Sequence, residues 1–340
     1  MKLRVFRGRG IMTQAQMKVG RFALTLRAAD PIVLPTYKGS TLRGGFGNAF
    51  KRVVCALKDR ECADCMLRER CVYAYVFETP PPAGSRVMRK YLAVPRPFVI
   101  EPPAERRTGY KPGDELTFGL TLIGKAVDYL PYFIYAFDEL GNIGIGKGRG
   151  KYKLTAVDRN APDVAGRPPG NGRRIYAAET RRLEPFTPEI LPIDIRPLDA
   201  GPPATLALNF LTPTRIYHGD HLLHGLEFHV LVRQLLRRIS MLAYFHCDID
   251  TAGWDFKGCI DRAGQVAVRN SRLSWHAWQR YSARQDSKID MDGFVGEIAY
   301  GGDVTPFLPL LRAGETLHVG KGTTFGLGRY EIRDGLPGIN

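Results

Sequence analysis

The chain has 340 residues, 44% of them hydrophobic, which is enough for one large core or two ordinary ones; the length favours two domains and the composition excludes disorder for the bulk. Lys and Arg number 49 against 34 Asp and Glu, a formal charge of +15 with a pI near 9.6, and such an excess favours a polyanionic partner, nucleic acid first. No apolar run approaches the ~20 residues of a membrane span, and the first twenty residues, with Arg4, Arg7, Arg9 and Lys18, lack an apolar signal core, so a cytoplasmic protein with no membrane partner is expected.

In chain order the first element is a strand at 21–28, where Phe22, Leu24 and Leu26 alternate with polar residues. Ser40 or Thr41 then caps a helix running to about Leu57, with Leu42, Phe46, Ala49, Phe50 and Val53 on one face. Strands are expected at 72–77 and 116–123, and a helix at 126–140 with Val127, Leu130, Phe133, Ile134 and Phe137 in phase. A glycine run at 144–152 leads into a strand containing Leu154 and Val157. Residues 159–174 carry Pro162, Pro168, Pro169, Gly170 and Gly172 without apolar period, the mark of a link.

Beyond the link the same order returns: a strand at 205–211, a long helix from about 221 to 245, strands around 272–281 and 293–300, a short helix at 304–311, a second glycine run at 320–330 and a last strand ending near Ile332. The fold class this order predicts is α+β, two tandem ferredoxin-like (β-α-β-β-α-β, RRM-like) domains. The first spans 1–165 with a cysteine-rich metal-clip insertion at 55–71, the link is 166–180, and the second spans 181–340 with a glycine-rich RNA-binding loop at 320–330.

Four of the six cysteines lie between positions 55 and 71, a clustering closer to a metal clip than to a disulfide framework. Cys55, Cys62, Cys65 and Cys71, with six, two and five residues between them, are spaced to close a tetrahedral site of structural rather than catalytic role. Zinc is placed first and a 4Fe-4S cluster is the alternative.

The two glycine runs allow backbone N–H groups to approach a phosphate, with cations beside them. The first carries Lys147, Arg149, Lys151 and Lys153; the second carries Lys321, the hydroxyls of Thr323 and Thr324, and Arg329. Their spacing fits neither a nucleotide P-loop nor a dinucleotide fingerprint, and one such run alone reads best as a turn packing helix on sheet. Two in equivalent places favour phosphate contact. Trp275, Trp278 and Tyr281 lie close to Arg272, Arg280 and Arg284, a mix that suits unpaired bases, although one of the two tryptophans is expected to point inward. Arg233, Arg237 and Arg238 are expected on the solvated face of the long helix.

The segments Arg280-Tyr281-Ser282, Tyr300-Gly301-Gly302, His318-Val319-Gly320-Lys321 and Phe325-Gly326-Leu327-Gly328-Arg329-Tyr330, with Gly39-Ser40-Thr41-Leu42-Arg43-Gly44-Gly45-Phe46-Gly47 near the start, resemble the CRISPR-associated precursor-crRNA-processing endoribonucleases of the RAMP superfamily. The resemblance implies a tandem ferredoxin-like fold, RNA contact through the loop near the C-terminus, and a cut in CRISPR repeat RNA that needs no catalytic metal. It also implies a place in antiviral defence, with precursor CRISPR RNA and other CRISPR-associated proteins as partners. In several members a histidine in the N-terminal half does the proton transfer, whereas the first histidine here is His218. The catalytic candidates are therefore His218 and His221, expected at a helix start where a phosphate meets the helix dipole, and a tyrosine–lysine arrangement of Tyr37, Lys38 and Lys51. His224, His229, His246 and His318 complete the set. The rival expectation is a catalytically silent RAMP subunit that holds crRNA within an interference complex.

Overall fold

In the computed structural model residues 15–57, 61–81, 85, 87, 93–159, 172–193, 204–282 and 287–334 are described. Strand β1 (Ala15–Ala28) buries Phe22, Leu24 and Leu26 as the alternation predicts, and starts six residues before the expected position. Next come β2 (Ile32–Val33) and α1 (Gly39–Val54), whose buried face of Leu42, Phe46, Ala49 and Phe50 is the one read from the sequence. The N-cap position is Lys38, without a side-chain cap, rather than Ser40 or Thr41. Strands β3 (Phe98–Glu101), β4 (Gly109–Tyr110) and β5 (Glu115–Ile123) precede α2 (Leu130–Ile143) and β6 (Tyr152–Arg159).

The sheet runs β3-β5-β1-β6 with every neighbour antiparallel, and β2 pairs separately with β4. Two helices packed over strands in that order form one split β-α-β unit. The expected strand at 72–77 is instead helical, with a π-helix at Ala74–Glu78. Helical winding brings Tyr73 and Phe77 together, their rings stacked at 5.2 Å, and turns Val76 and Phe77 into the core.

The first sheet also continues into residues assigned to the link, 166–180, and to the start of the second domain, from 181. β7 (Arg173–Ala177) pairs with β6, β8 (Arg182–Leu183) pairs with β7, and β9 (Glu189–Ile193) pairs with the start of β1. Ile175, in the stretch read as a link, and Ile193, in the stretch given to the second domain, are both buried, which holds these residues to the first sheet. The Pro- and Gly-rich residues 160–171 lie outside the described residues.

The second unit comprises β10 (Ala204–Thr214), the ribbon β11 (Tyr217–His218) and β12 (His221–Leu222), α3 (Phe228–His246), α4 (Phe256–Ala263), β13 (Ala267–His276), the ribbon β14 (Gln279–Ser282) and β15 (Ser287–Asp290), β16 (Gly293–Gly302), α5 (Leu308–Leu317) and β17 (Tyr330–Asp334). Its sheet order, β13-β16-β10-β17, repeats that of the first, again antiparallel throughout. Helix α3 begins at Phe228, not near 221, because Gly219 at φ 59° folds 217–222 into a tight ribbon first. Arg238, expected in solvent, is buried: its Nε donates to the Leu317 carbonyl at 2.7 Å and caps the C-terminal end of α5. The exposed cations of this helix are Arg233 and Arg237.

The two units share an apolar seam, for Met17, Val19 and Ile123 of the first sheet lie in one buried cluster with Leu235, Ile239 and Leu311 of the second unit. Gly124 lets the chain before α2 approach the His246 carbonyl so closely that a Cβ would overlap it. The His246 ring bridges the same seam. The Pro95 carbonyl can only accept, so His246 Nε2–H donates to it at 2.8 Å, and Nδ1 accepts from the Tyr75 hydroxyl at 3.0 Å. Among the described residues no helix is long and apolar enough to cross a membrane.

Candidate nucleic-acid interface

The second glycine loop joins α5 to β17 and carries one 3-10 turn, Thr323–Phe325. It lies against the start of α1. The Tyr37 hydroxyl donates to the Phe325 carbonyl at 2.8 Å, and the Tyr37 ring packs 4.9 Å from that of Trp278. A Cβ on Gly39, the first residue of α1, would overlap the Phe325 carbonyl oxygen, so glycine there admits the loop. Arg329 lies 3.6 Å from Glu101, which also accepts from Thr121 Oγ1 at 2.9 Å. The Thr212 hydroxyl donates to the Gly326 carbonyl and accepts from the Arg329 backbone.

This docking divides the expected RNA contacts. Thr323, Thr324 and Arg329 are buried, and Arg329 reaches Glu101 of β3 across the two units. Lys321 alone of the four is exposed. Tyr37 is half-buried with its hydroxyl turned to the Phe325 carbonyl, and desolvation pushes its phenol well above the ordinary tyrosine range, which unsuits it as a base. Lys38 is fully buried and donates to the carbonyls of Glu105 and Thr36. Lys51 stands over the Tyr73 ring, 5.7 Å from its centroid, about 18 Å of helical rise beyond Gly39, so it is not part of the interface.

The histidines separate just as clearly. His246 and His318 are buried in the seam, and burial lowers the pKa of both, to about 4 for His246. His229 pairs with Glu227 at 3.3 Å. His218 and His221 are exposed and face one another across the β11–β12 ribbon. That ribbon adjoins the glycine loop: the Lys321 backbone N–H donates to the Arg215 carbonyl at 2.9 Å, and Lys321 Nζ lies 4.4 Å from the centre of the Tyr217 ring. The row continues through His224, whose ring stacks on Trp275 at 4.0 Å, the more exposed of the two tryptophans. A pocket of about 410 Å³ opens beside it, lined by His218, Leu223, Glu227, His229, Val268 and Ser271. Lys321 over the half-buried Tyr217, the exposed His218–His221 pair and the His224–Trp275 stack thus offer a cation, proton carriers and aromatic planes on and just after the ribbon. The spacing of the histidines was visible in the sequence; their ribbon was not.

The first glycine loop presents Lys147, Arg149 and Lys151 to solvent. The Lys147 backbone N–H donates to the Val33 carbonyl at 2.9 Å, so both glycine loops rest on the same β1–α1 connection, one at Val33 and the other at Tyr37. Arg280 is half-buried with its guanidinium 4.9 Å from the centre of the Phe325 ring, and Arg284 lies outside the described residues.

Cys55, Cys62, Cys65 and Cys71 are half-buried free thiols. Among the described residues no group of three or more His, Cys, Asp or Glu side chains is placed to hold a metal ion, so the arrangement does not support the expected zinc or iron–sulfur clip. Burial raises the Cys62 pKa, opposed by Lys51 and reinforced by Glu78, Cys55 and Cys71. The Cys55 thiol is turned to the Leu57 carbonyl.

A family model for the CRISPR-associated endoribonuclease Cas6 matches residues 208–330, the stretch from β10 through the histidine ribbon to the glycine loop, and a model of an N-terminal domain matches residues 17–188. Over residues 208–330 the chain matches the Cas6 family. An uncharacterised protein of Archaeoglobus fulgidus is 25% identical over 308 residues, covering 88% of this chain and 93% of its own. Among solved structures, a Cas6 product complex is similar over 93% of this chain and 99% of its own, with a TM-score of 0.54 at 16% identity. Thermus thermophilus Cas6 has a TM-score of 0.50 at 15% identity with the same coverage. A Cas6-RT-Cas1–Cas2 assembly chain has a TM-score of 0.52 at 13% identity, over 95% of this chain and 47% of its own. The α+β architecture with antiparallel sheets matches the double ferredoxin-like fold of Cas6. At the level of the family, CRISPR RNA binding and processing follow.

Proposed function

We propose that the chain binds CRISPR repeat RNA across Lys321, the His218–His221 ribbon and the His224–Trp275 stack and cuts it by attack of a 2′-hydroxyl on the adjacent phosphate, leaving a 2′,3′-cyclic phosphate and a free 5′-hydroxyl. The observation that carries this reading is the exposed His218–His221 pair on a ribbon whose Tyr217 lies under Lys321. One neutral imidazole takes the 2′-hydroxyl proton, the other, protonated, gives a proton to the departing 5′ oxygen, and the Lys321 ammonium offsets the charge gathering on phosphorus. Unpaired bases flanking the cut stack on the His224–Trp275 pair. Lys147, Arg149 and Lys151 hold phosphates further along the strand.

The second reading, an RNA-binding subunit that does not cut, is favoured by the burial of Tyr37 and by the lack of any histidine before His218. In either reading the partners are repeat RNA and other CRISPR-associated proteins. The deciding experiment incubates the protein with labelled repeat RNA in EDTA, beside a substrate with a single 2′-deoxy at the cut position. A discrete cut that the 2′-deoxy abolishes supports the nuclease. Tight binding without a cut supports the silent subunit, and a cut lost in EDTA overturns the metal-independent chemistry.

A further inference from the structure

On the flank of the glycine loop away from the histidine ribbon, two guanidinium groups converge on Phe325. Arg43, from α1, lies 5.1 Å from the centre of the Phe325 ring and 5.2 Å from that of Phe77; Arg280, from β14, lies 4.9 Å from the centre of Phe325. Arg96, from the segment before β3, donates its Nε–H to the Phe77 carbonyl at 2.7 Å and lies near enough to Arg43 to repel its charge. The Nε atoms of both Arg43 and Arg280 are buried without a hydrogen-bond partner.

Such crowding of like charge is unfavourable on its own. The Arg43 pKa is lowered to about 10, mainly by burial, then by Arg96 and Arg280, against the opposing influence of Tyr73 and Glu78. Buried N–H donors with no acceptor, on cations that repel one another, make a place that an anion completes. The aromatic rings hold the guanidinium planes, so little freedom is lost when their forks meet a tetrahedral oxyanion.

We propose that Arg43, Arg96 and Arg280 form a seat for one RNA phosphate at the seam between the two units. The proposal rests on the reading that this chain binds repeat RNA, and it adds a contact from α1 and from the segment before β3 that the histidine face does not supply. A phosphate in this seat ties the start of α1 to the glycine loop, so bound RNA also closes the seam.

The test uses R43Q, R280Q and R43K in two measurements. In the first, repeat-RNA affinity is followed across a salt series; R43Q and R280Q are each expected to bind about tenfold more weakly with a salt slope smaller by about one, while R43K keeps the slope and loses affinity. In the second, melting temperature is followed with inorganic phosphate against chloride at matched ionic strength; phosphate is expected to raise it for the unmodified protein and not for R43Q. Because R280Q leaves α1 untouched, it keeps the test decisive if R43Q folds poorly. Unchanged RNA affinity and slope in R43Q and R280Q overturn the RNA seat even where the unmodified protein binds RNA well. If the unmodified protein binds no repeat RNA, the broader reading fails by itself. A phosphate-induced rise that R280Q abolishes would then leave an anion seat for free phosphate, and a rise that R280Q retains overturns the seat altogether.

Discussion

The Tyr37 hydroxyl donates a 2.8 Å hydrogen bond to the carbonyl of Phe325, a residue 288 positions further along the chain. That one bond places the start of α1 under the glycine loop, and it removes Tyr37 from the acid–base candidates. Tyr37→Phe keeps the ring against Trp278 and leaves the Phe325 carbonyl without this donor, which is expected to lower stability by about 1–3 kcal/mol in urea unfolding. Repeat-RNA cleavage at a temperature where the variant is folded should stay within a few-fold of the unmodified protein. Loss of cleavage with unchanged stability would restore Tyr37 as a catalyst.

Two helix glycines in α1 separate close approach from plain helix propensity. Gly39→Ala forces a methyl group into the Phe325 carbonyl and should destabilise the seam, read as a lower melting temperature and weaker RNA binding together. Gly44 has nothing within 4 Å of its missing Cβ, so Gly44→Ala should stabilise by up to about 1 kcal/mol. The opposite signs are the check.

His246 makes stability depend on pH. Its pKa is lowered from 6.5 to about 4, first by burial, so the folded chain holds it neutral where the unfolded chain begins to protonate it. Its contribution is therefore complete above pH 6.5 and declines as the pH falls towards about 4, a loss on the order of 3 kcal/mol across the window. Urea unfolding of the unmodified protein and of His246→Gln at pH 7.5 and 4.5 measures it; the variant should lose less between the two.

Acid–base work by the ribbon predicts a separation of binding from cutting. His218→Ala and His221→Ala should each slow cleavage by about 10²–10⁴-fold with little change in RNA affinity. Lys321→Ala should weaken binding as well and reduce the salt slope by about one. Single-turnover cleavage alongside filter binding distinguishes these outcomes. Equal loss of binding and cutting in the histidine variants would make the ribbon a docking surface only.

The buried faces of α1 and α2 were legible because each rests on local period, as in Leu42, Phe46, Ala49 and Phe50, whereas β3 at Phe98–Glu101 was missed and its place given to 72–77, which is helical. The fate of the second glycine loop was not. Thr323, Thr324 and Arg329 have the composition of a phosphate cradle, but Glu101 and the α1 start, far away in sequence, turn them inward. The ribbon at 217–222 was masked by Leu222, Leu223 and Leu226, which extend the helical spacing of α3 backwards; Gly219 and Gly225 were the available signals of a break. Nothing local marks Arg96 or the pairing of Arg43 with Phe325, since these contacts join residues far apart in sequence. The cysteine spacing suits a metal, while among the described residues no group of three or more such side chains is placed to hold one.

The Tyr37–Phe325 separation also bears on when the RNA-binding face can exist. At ~5–20 residues per second, α1 leaves the ribosome on the order of tens of seconds before the loop that covers it, so an unfinished chain carries the cations of its first unit without the seam. The contact of Tyr37 with Phe325 therefore forms only when the second unit is nearly complete.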